Sequence, residues 1–317
     1  MYDSNSKGIS YTAGFFILIG FVVAGLFAAA LISIPVWTNM TGTSFDAMQK
    51  EMDNPAYADA AKVIQIITAF VGFFLPAVLT AFLLNKKPAK LLGFSGKIKL
   101  GETALVIAIM IAGLIVSLFL AYLTQQIPIP ASWKETFNAW EDNYNGSAES
   151  IMGLNNFGEY LVTLFMLGVL PAVCEETFFR GGLQNFLTRS TKMPWVSIII
   201  VSILFSAVHA SYYGFLSRVL LGILLGIIYQ YSGRIWLNIL GHFINNAVAI
   251  TWIYFQVLQG HSLKEAMNGE TSMGWVIAGI ILVPVLIFLL WWFKKTSIAR
   301  HLHESVVVEN NTVSPGQ

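Results

Sequence analysis

Four stretches of this chain, residues 13–36, 63–84, 103–124 and 275–293, stay apolar long enough to cross a hydrocarbon layer, which takes roughly 20 residues in a helix. Lipid offers no partner to a backbone N–H or C=O, so each such stretch must bond within itself as a helix or close into a barrel. The runs are too long and too uniformly apolar for barrel strands, which are about ten residues of alternating character. Charged residues make up only 11% of the 317, against about 25% in soluble domains. The expected fold class is therefore all-α, a polytopic membrane protein.

A net charge of +1 gives no basic footprint for nucleic acid. A single cysteine, Cys174, excludes a disulfide framework and zinc-knuckle spacing. The first run is longer than a signal-peptide core of about 7–15 residues, has only Lys7 before it and no small-residue cleavage site after it, so it reads as a retained helix.

Between residues 157 and 258 the apolar pattern continues but is broken by polar residues. Breaks at 188–193, Gly214 and 232–234 divide it into segments 157–187, 194–213, 216–231 and 235–257, which brings the expected count to eight helices. Three regions follow. Residues 1–156 hold three helices and two polar outside loops, residues 157–258 form the core, and 259–317 hold the last helix and a tail expected to be disordered from 301. The loop 125–157, with its QQIPIPAS and NYNGS strings, reads as turn-rich with little periodicity. Gly222-xxx-Gly226 predicts close approach of the sixth helix to a neighbour. No internal repeat is visible, which weighs against transporters built from duplicated halves. With both termini in the cytoplasm, thirteen of the eighteen Lys and Arg residues fall on the inside. The expected location is a bacterial cytoplasmic membrane.

Removing the loops leaves a short set of strongly polar groups at membrane depth: Glu175, Glu176, Arg180, His209, His242, Asn245 and Asn246. An ionisable group there costs several kcal/mol and marks function by default. Glu176 and Arg180 are four apart and share a helix face, as do His242 and Asn246, while Glu175 is turned about 100° away from Glu176. At 1.5 Å per residue, Glu175 and His209 fall roughly 21 and 22 Å from the inner ends of their helices, and His242 about 12 Å. Bland readings stand beside this: EETFFRGG as a solvated interfacial cap, His209 as a packing residue, His242 with Asn246 as interhelical glue.

Glu175-Glu176-xxx-Arg180, Phe205-xxx-His209 and His242-xxx-Asn246, in that order and spacing, resemble the three motifs of the CPBP (Abi) intramembrane proteases, which include the type II CAAX prenyl proteases. The resemblance covers about residues 157–252. It implies that Glu175 and His209 activate water and that His242 and Asn246 stabilise the oxyanion. It implies a membrane protein or lipidated peptide as substrate, met within the bilayer. Whether a metal takes part is left open by the family.

The residues support such chemistry on their own terms. Arg180 is the counter-charge that keeps Glu176 ionised, which leaves Glu175 as general base, and His209 shares the water or passes the proton to the leaving amine. An amide N–H of Asn246 and an imidazole N–H of His242 are credible oxyanion donors. Glu175, His209 and His242 are equally a two-histidine, one-carboxylate set suited to zinc with an open water position. No HExxH occurs, and every aspartate lies outside the apolar runs. Gly93-Phe94-Ser95-Gly96 matches the GxSG string of rhomboid proteases but sits in a lysine-rich loop and reads as a turn. The rival class is a proton-coupled transporter or membrane scaffold that uses the carboxylate pair as a proton relay.

Overall fold

The computed structural model describes residues 5–52, 54–96, 99–267 and 272–312, with side chains for all of these except 49 and 298–312. Asp3, Asp53, Lys97 and the last part of the tail, 313–317, lie outside the described residues. Apart from one backbone bridge between Ser6 and Asn85, every regular element among the described residues is helical.

In chain order these are α1 (Tyr11–Thr41), α2 (Phe45–Glu51), α3 (Pro55–Leu84), α4 (Leu100–Gln126), α5 (Ala131–Ile151), α6 (Phe157–Thr191), α7 (Pro194–Ala207), α8 (Phe215–Ser232), α9 (Ile235–Leu258), α10 (Leu263–Met267) and α11 (Met273–Thr312). Six are long and apolar enough to cross a membrane: α1, α3, α4, α6, α8 and the part Met273–Ser297 of α11. The count of eight is not confirmed. Helix α7 has 14 residues, about 21 Å of rise, and α9 carries Asn238, His242, Asn245 and Asn246 in its apolar sequence.

Two expectations are corrected. The fifth segment stops at Ala207 instead of running to 213, because the chain tightens into turns there and Ala210 takes a positive φ of 46°. The region 125–157 is not a turn-rich loop but holds the 21-residue helix α5. The last helix is described to Thr312. The GxSG string is a turn, with Gly93 and Gly96 both at positive φ, and the Gly93 carbonyl accepts from Ile235 N at 3.1 Å.

Two apolar clusters flank the middle of the molecule. Leu18 of α1, Ala77 and Leu84 of α3, Phe178, Phe179 and Phe186 of α6 and Phe205 of α7 form one. Ile109 and Met110 of α4, Leu224, Leu225 and Ile228 of α8, Leu237 of α9 and Phe293 of α11 form the other. Large apolar side chains such as Phe16, Phe27 and Ile281 point outward, as lipid-facing positions do. Helix α8 lies between the clusters and presses closely on α7. A Cβ on Gly222 would stand 2.9 Å from Ser202 Cα, and one on Gly226 would stand 2.9 Å from Ile198 Cγ2. The glycine pair removes the side chains that would hold these helices apart.

Proline shapes α6. Pro171 has no N–H to give the carbonyl four residues earlier, which is that of Leu167. The preceding turn is wound as a π-helix over Leu164–Val169, and a second π-wound segment, Thr177–Gln184, carries Arg180. Helix α3 repeats the arrangement, with Pro76 after the π-turn Phe70–Phe74.

Replacing Gly222 by Leu must push α7 backbone away, since the new Cβ would stand 2.8 Å from Ser202 Cβ and 2.9 Å from its Cα. Overpacking of this kind costs about 1–3 kcal/mol. The thermal unfolding midpoint of the detergent-solubilised protein, followed by circular dichroism, falls for Gly222→Leu and stays near wild type for Gly20→Leu, whose Cβ would meet nothing within 4 Å.

Candidate active site

The centre of the site is a buried carboxylate shared by two hydrogen-bond donors from different directions. Glu176 Oε1 accepts from Arg180 Nη1 at 2.9 Å, one helical turn along α6, and both side chains are wholly buried. The same oxygen contacts His242 Nδ1 of α9 at 2.9 Å. Since the carboxylate oxygen is an acceptor, His242 donates from Nδ1. Arg180 also reaches across to α8, donating from Nη2 to the Gly222 carbonyl at 3.2 Å. Its guanidinium sits 4.7 Å above the Phe205 ring of α7, within cation–π range. One ion pair thus fastens α6, α7, α8 and α9 together.

Phe205 is the spacer of the site. Its ring centroid lies 5.8 Å from that of His242 and 5.0 Å from that of His209. His209 follows the last turn of α7, where the terminal carbonyls lack helical partners. Its Nδ1 lies 2.7 Å from the Phe205 carbonyl, so it donates there and caps its own helix. That leaves the other ring nitrogen, Nε2, as the lone-pair side of a neutral imidazole. Glu175, one residue before the ion pair, is half-buried, and its Oε2 is buried with no hydrogen-bond partner in the protein. Glu176 Oε2 and Arg180 Nε are in the same condition. Three orphaned polar atoms within six residues are unusual, because buried polar groups are nearly always paired with protein or water.

Asn246 supports α6. Its Nδ2 donates at 2.9 Å to the Leu167 carbonyl, the group that Pro171, having no N–H, cannot serve from four residues on. Its Oδ1 accepts from Asn245 Nδ2 at 3.1 Å. One amide hydrogen of Asn246 is spent on this strut, and one remains.

Among the described residues no group of three or more His, Cys, Asp or Glu side chains is placed to hold a metal ion.

Several participants were not foreseen. The aromatic residues Trp133, Phe137, Trp140 and Tyr144 recur at helical spacing along α5, a 3.6-residue period masked by the surrounding polar residues. They dock α5 on the segment that follows His209. Phe137 stacks on Tyr212 at 4.4 Å, Ser211 Oγ donates to Glu141 Oε2 at 2.8 Å, and Tyr213 OH donates to Asn138 Oδ1 at 3.1 Å. Tyr144 reaches the His209 ring itself, 6.3 Å between centroids. A second buried ion pair joins Arg234 Nη1 to Glu102 Oε2 at 2.6 Å. Glu102 directly precedes an apolar run, and nothing in its neighbourhood of the sequence announces a partner 132 residues away.

Residues 157–248 match the family model of type II CAAX prenyl endopeptidases, Rce1-like, in keeping with the resemblance to CPBP proteases carried by the three motifs. The matched segment spans α6 to the middle of α9. No curated protein and no solved structure matches the chain significantly.

Arg180→Met removes the charge that neutralises Glu176 and leaves a carboxylate buried beside His242. Breaking such a pair costs about 3–5 kcal/mol. The double variant Glu176→Gln with Arg180→Met leaves no uncompensated charge and unfolds at a higher temperature than the single variant, although it has lost one more native side chain. A double-mutant cycle of unfolding midpoints measures the coupling.

Proposed function

We propose that the protein is an intramembrane endopeptidase that cuts a membrane protein or lipidated peptide with a water activated by Glu175 and His209. The observation that carries this reading is the half-buried Glu175, its Oε2 buried and unpaired, on the turn that also builds the Glu176–Arg180–His242 network. The match of residues 157–248 to a family of prenyl endopeptidases supports it.

Each residue has a task. Arg180 and His242 occupy Glu176, so that carboxylate is structural and Glu175 is the one left to take a proton. His209 accepts or passes a proton through Nε2, because its Nδ1 is committed to the Phe205 carbonyl. Water attacks the scissile carbonyl carbon as its proton moves to the Glu175–His209 pair, and that proton then goes to the leaving amine. The second amide hydrogen of Asn246 is the oxyanion donor from α9. His242 joins it only when doubly protonated, since its Nδ1–H already points at Glu176. Glu176 is then its counter-charge. No step is routed through a metal. Both termini are assigned to the cytoplasm from the distribution of Lys and Arg.

Purified protein reconstituted with a membrane substrate tests the mechanism. Glu175→Gln and His209→Ala each abolish cleavage, and Asn246→Ala slows it by roughly 10²–10³, the usual cost of one oxyanion donor. Mass spectrometry of membranes with and without the protein finds new peptide termini only in the former. Substrate flux or partner binding without new termini would assign the buried acids to a proton relay instead.

A further inference from the structure

Helix α5 lays aromatic side chains on the turn that carries His209, and the mechanism gives it no task. Of its 21 residues only Ser150 and Ile151, at the C-terminal end, are buried. Ile151 packs with Ala61 of α3 and Met166 of α6. The loop that follows is tied down as well, where Thr163 Oγ1 accepts from Gly153 N at 3.1 Å and donates to the Gly153 carbonyl at 2.9 Å. The other end of α5 follows Ile127-Pro128-Ile129-Pro130, which is mostly exposed and has two residues without an N–H to give. The helix is fixed at one end and lightly held along its length.

One stripe makes the contact with the turn. Phe137, Glu141 and Tyr144 are four and three residues apart and share a face. They meet Tyr212, Ser211 and His209 in that order. Trp133 and Trp140 flank Phe137, with ring centroids at 5.8 and 5.4 Å, yet they are 54% and 43% exposed. Tryptophans on an amphipathic helix rest readily at the lipid–water interface. The stripe therefore has two places to lie, on the turn or in the interface. His209 itself follows a helix that rises about 21 Å, short of the roughly 30 Å of hydrocarbon, so its own helix does not roof it.

We propose that α5 is a movable cover over His209, which hinges at Ile151, lies closed in this structure, and lifts to admit the substrate chain. The assignment rests on the peptidase reading and deepens it by naming how the site is controlled. A cover of this kind shuts the Glu175–His209 pair away between turnovers and sets how often a substrate is committed. The contacts suit it: they are few, they lie on one stripe, and moving elements are drawn from the weakly held parts of a fold. A permanent support for the turn would be buried along its length, and α5 is not.

The test uses protein in phosphatidylcholine nanodiscs. Ser211 is 4% exposed and bonded to Glu141, so the reaction of Ser211→Cys with a maleimide times the opening of α5. Wild type, whose lone Cys174 is buried, sets the background. Adding Phe137→Ala raises the labelling rate about tenfold, since the rate follows the open population and a stacked aromatic pair is lost. In the second arm, Glu141→Cys with Ser211→Cys is joined by a short bis-methanethiosulfonate reagent. Cleavage of a membrane substrate then falls at least about tenfold, as for a lid held shut, and returns when dithiothreitol releases the link. Labelling that Phe137→Ala leaves unchanged overturns the proposal. Joined protein that cleaves as fast as the released protein overturns it too, and makes α5 a fixed support for the turn. The thiol measurement involves no cleavage, so a failed peptidase reading shows itself separately, as wild-type protein that generates no new termini.

Discussion

Everything in this molecule turns on burying the Glu176 carboxylate away from both water and lipid. Removing an ion from water costs several kcal/mol even after relaxation, and the cost is recovered only with good geometry and further hydrogen bonds. Arg180 supplies the charge, His242 a second donor, the Gly222 carbonyl an acceptor for the guanidinium, and Phe205 a ring face beneath it. These groups come from four helices. The ion pair is therefore a positional device more than a source of net stability. Its demands fix the distance of α8 from α6, and Gly222 is tolerated in place of a larger residue because Ser202 lies against it.

A second constraint is backbone satisfaction where no water reaches. Pro171 removes an N–H from the middle of a membrane helix, and the Leu167 carbonyl finds Asn246 on α9. The break that weakens α6 locally is thus what ties α9 to it, at the same level as the site. Helix termini are handled in the same way. His209 closes α7 with its own ring, so one contact both caps the helix and leaves Nε2 as the uncommitted ring nitrogen.

Much of this was written in the order of residues. Glu176 and Arg180 pair because four residues of helix bring them to one face, and the glycine pair at 222 and 226 packs closely because its spacing allows it. The end of α7 was not legible. Apolar character continues past Ala207, and only the folded chain shows that the turn and Ala210 stop the helix there. Helix α5 was missed for the opposite reason: its aromatic period was present, but polar residues around it obscured the stripe. Arg218 is among the five basic residues that the count of Lys and Arg leaves outside, and nothing local in the sequence distinguishes a solvated cation from one stacked on a tyrosine ring.

The sequence by itself determined that the chain is helical and lives in a bilayer, because apolar length and the cost of unpaired backbone groups leave no other choice. It also determined which few polar residues must matter, because each carries a penalty that needs compensation. Only the tertiary structure decided which partner each one meets. Each keeps a buried, unpaired Oε2, but Glu176 gives its Oε1 to Arg180 and His242, although both are the same residue type one position apart. That difference arises from their 100° separation on the helix and from which neighbour each face meets, and neighbours from distant parts of a chain are chosen by packing.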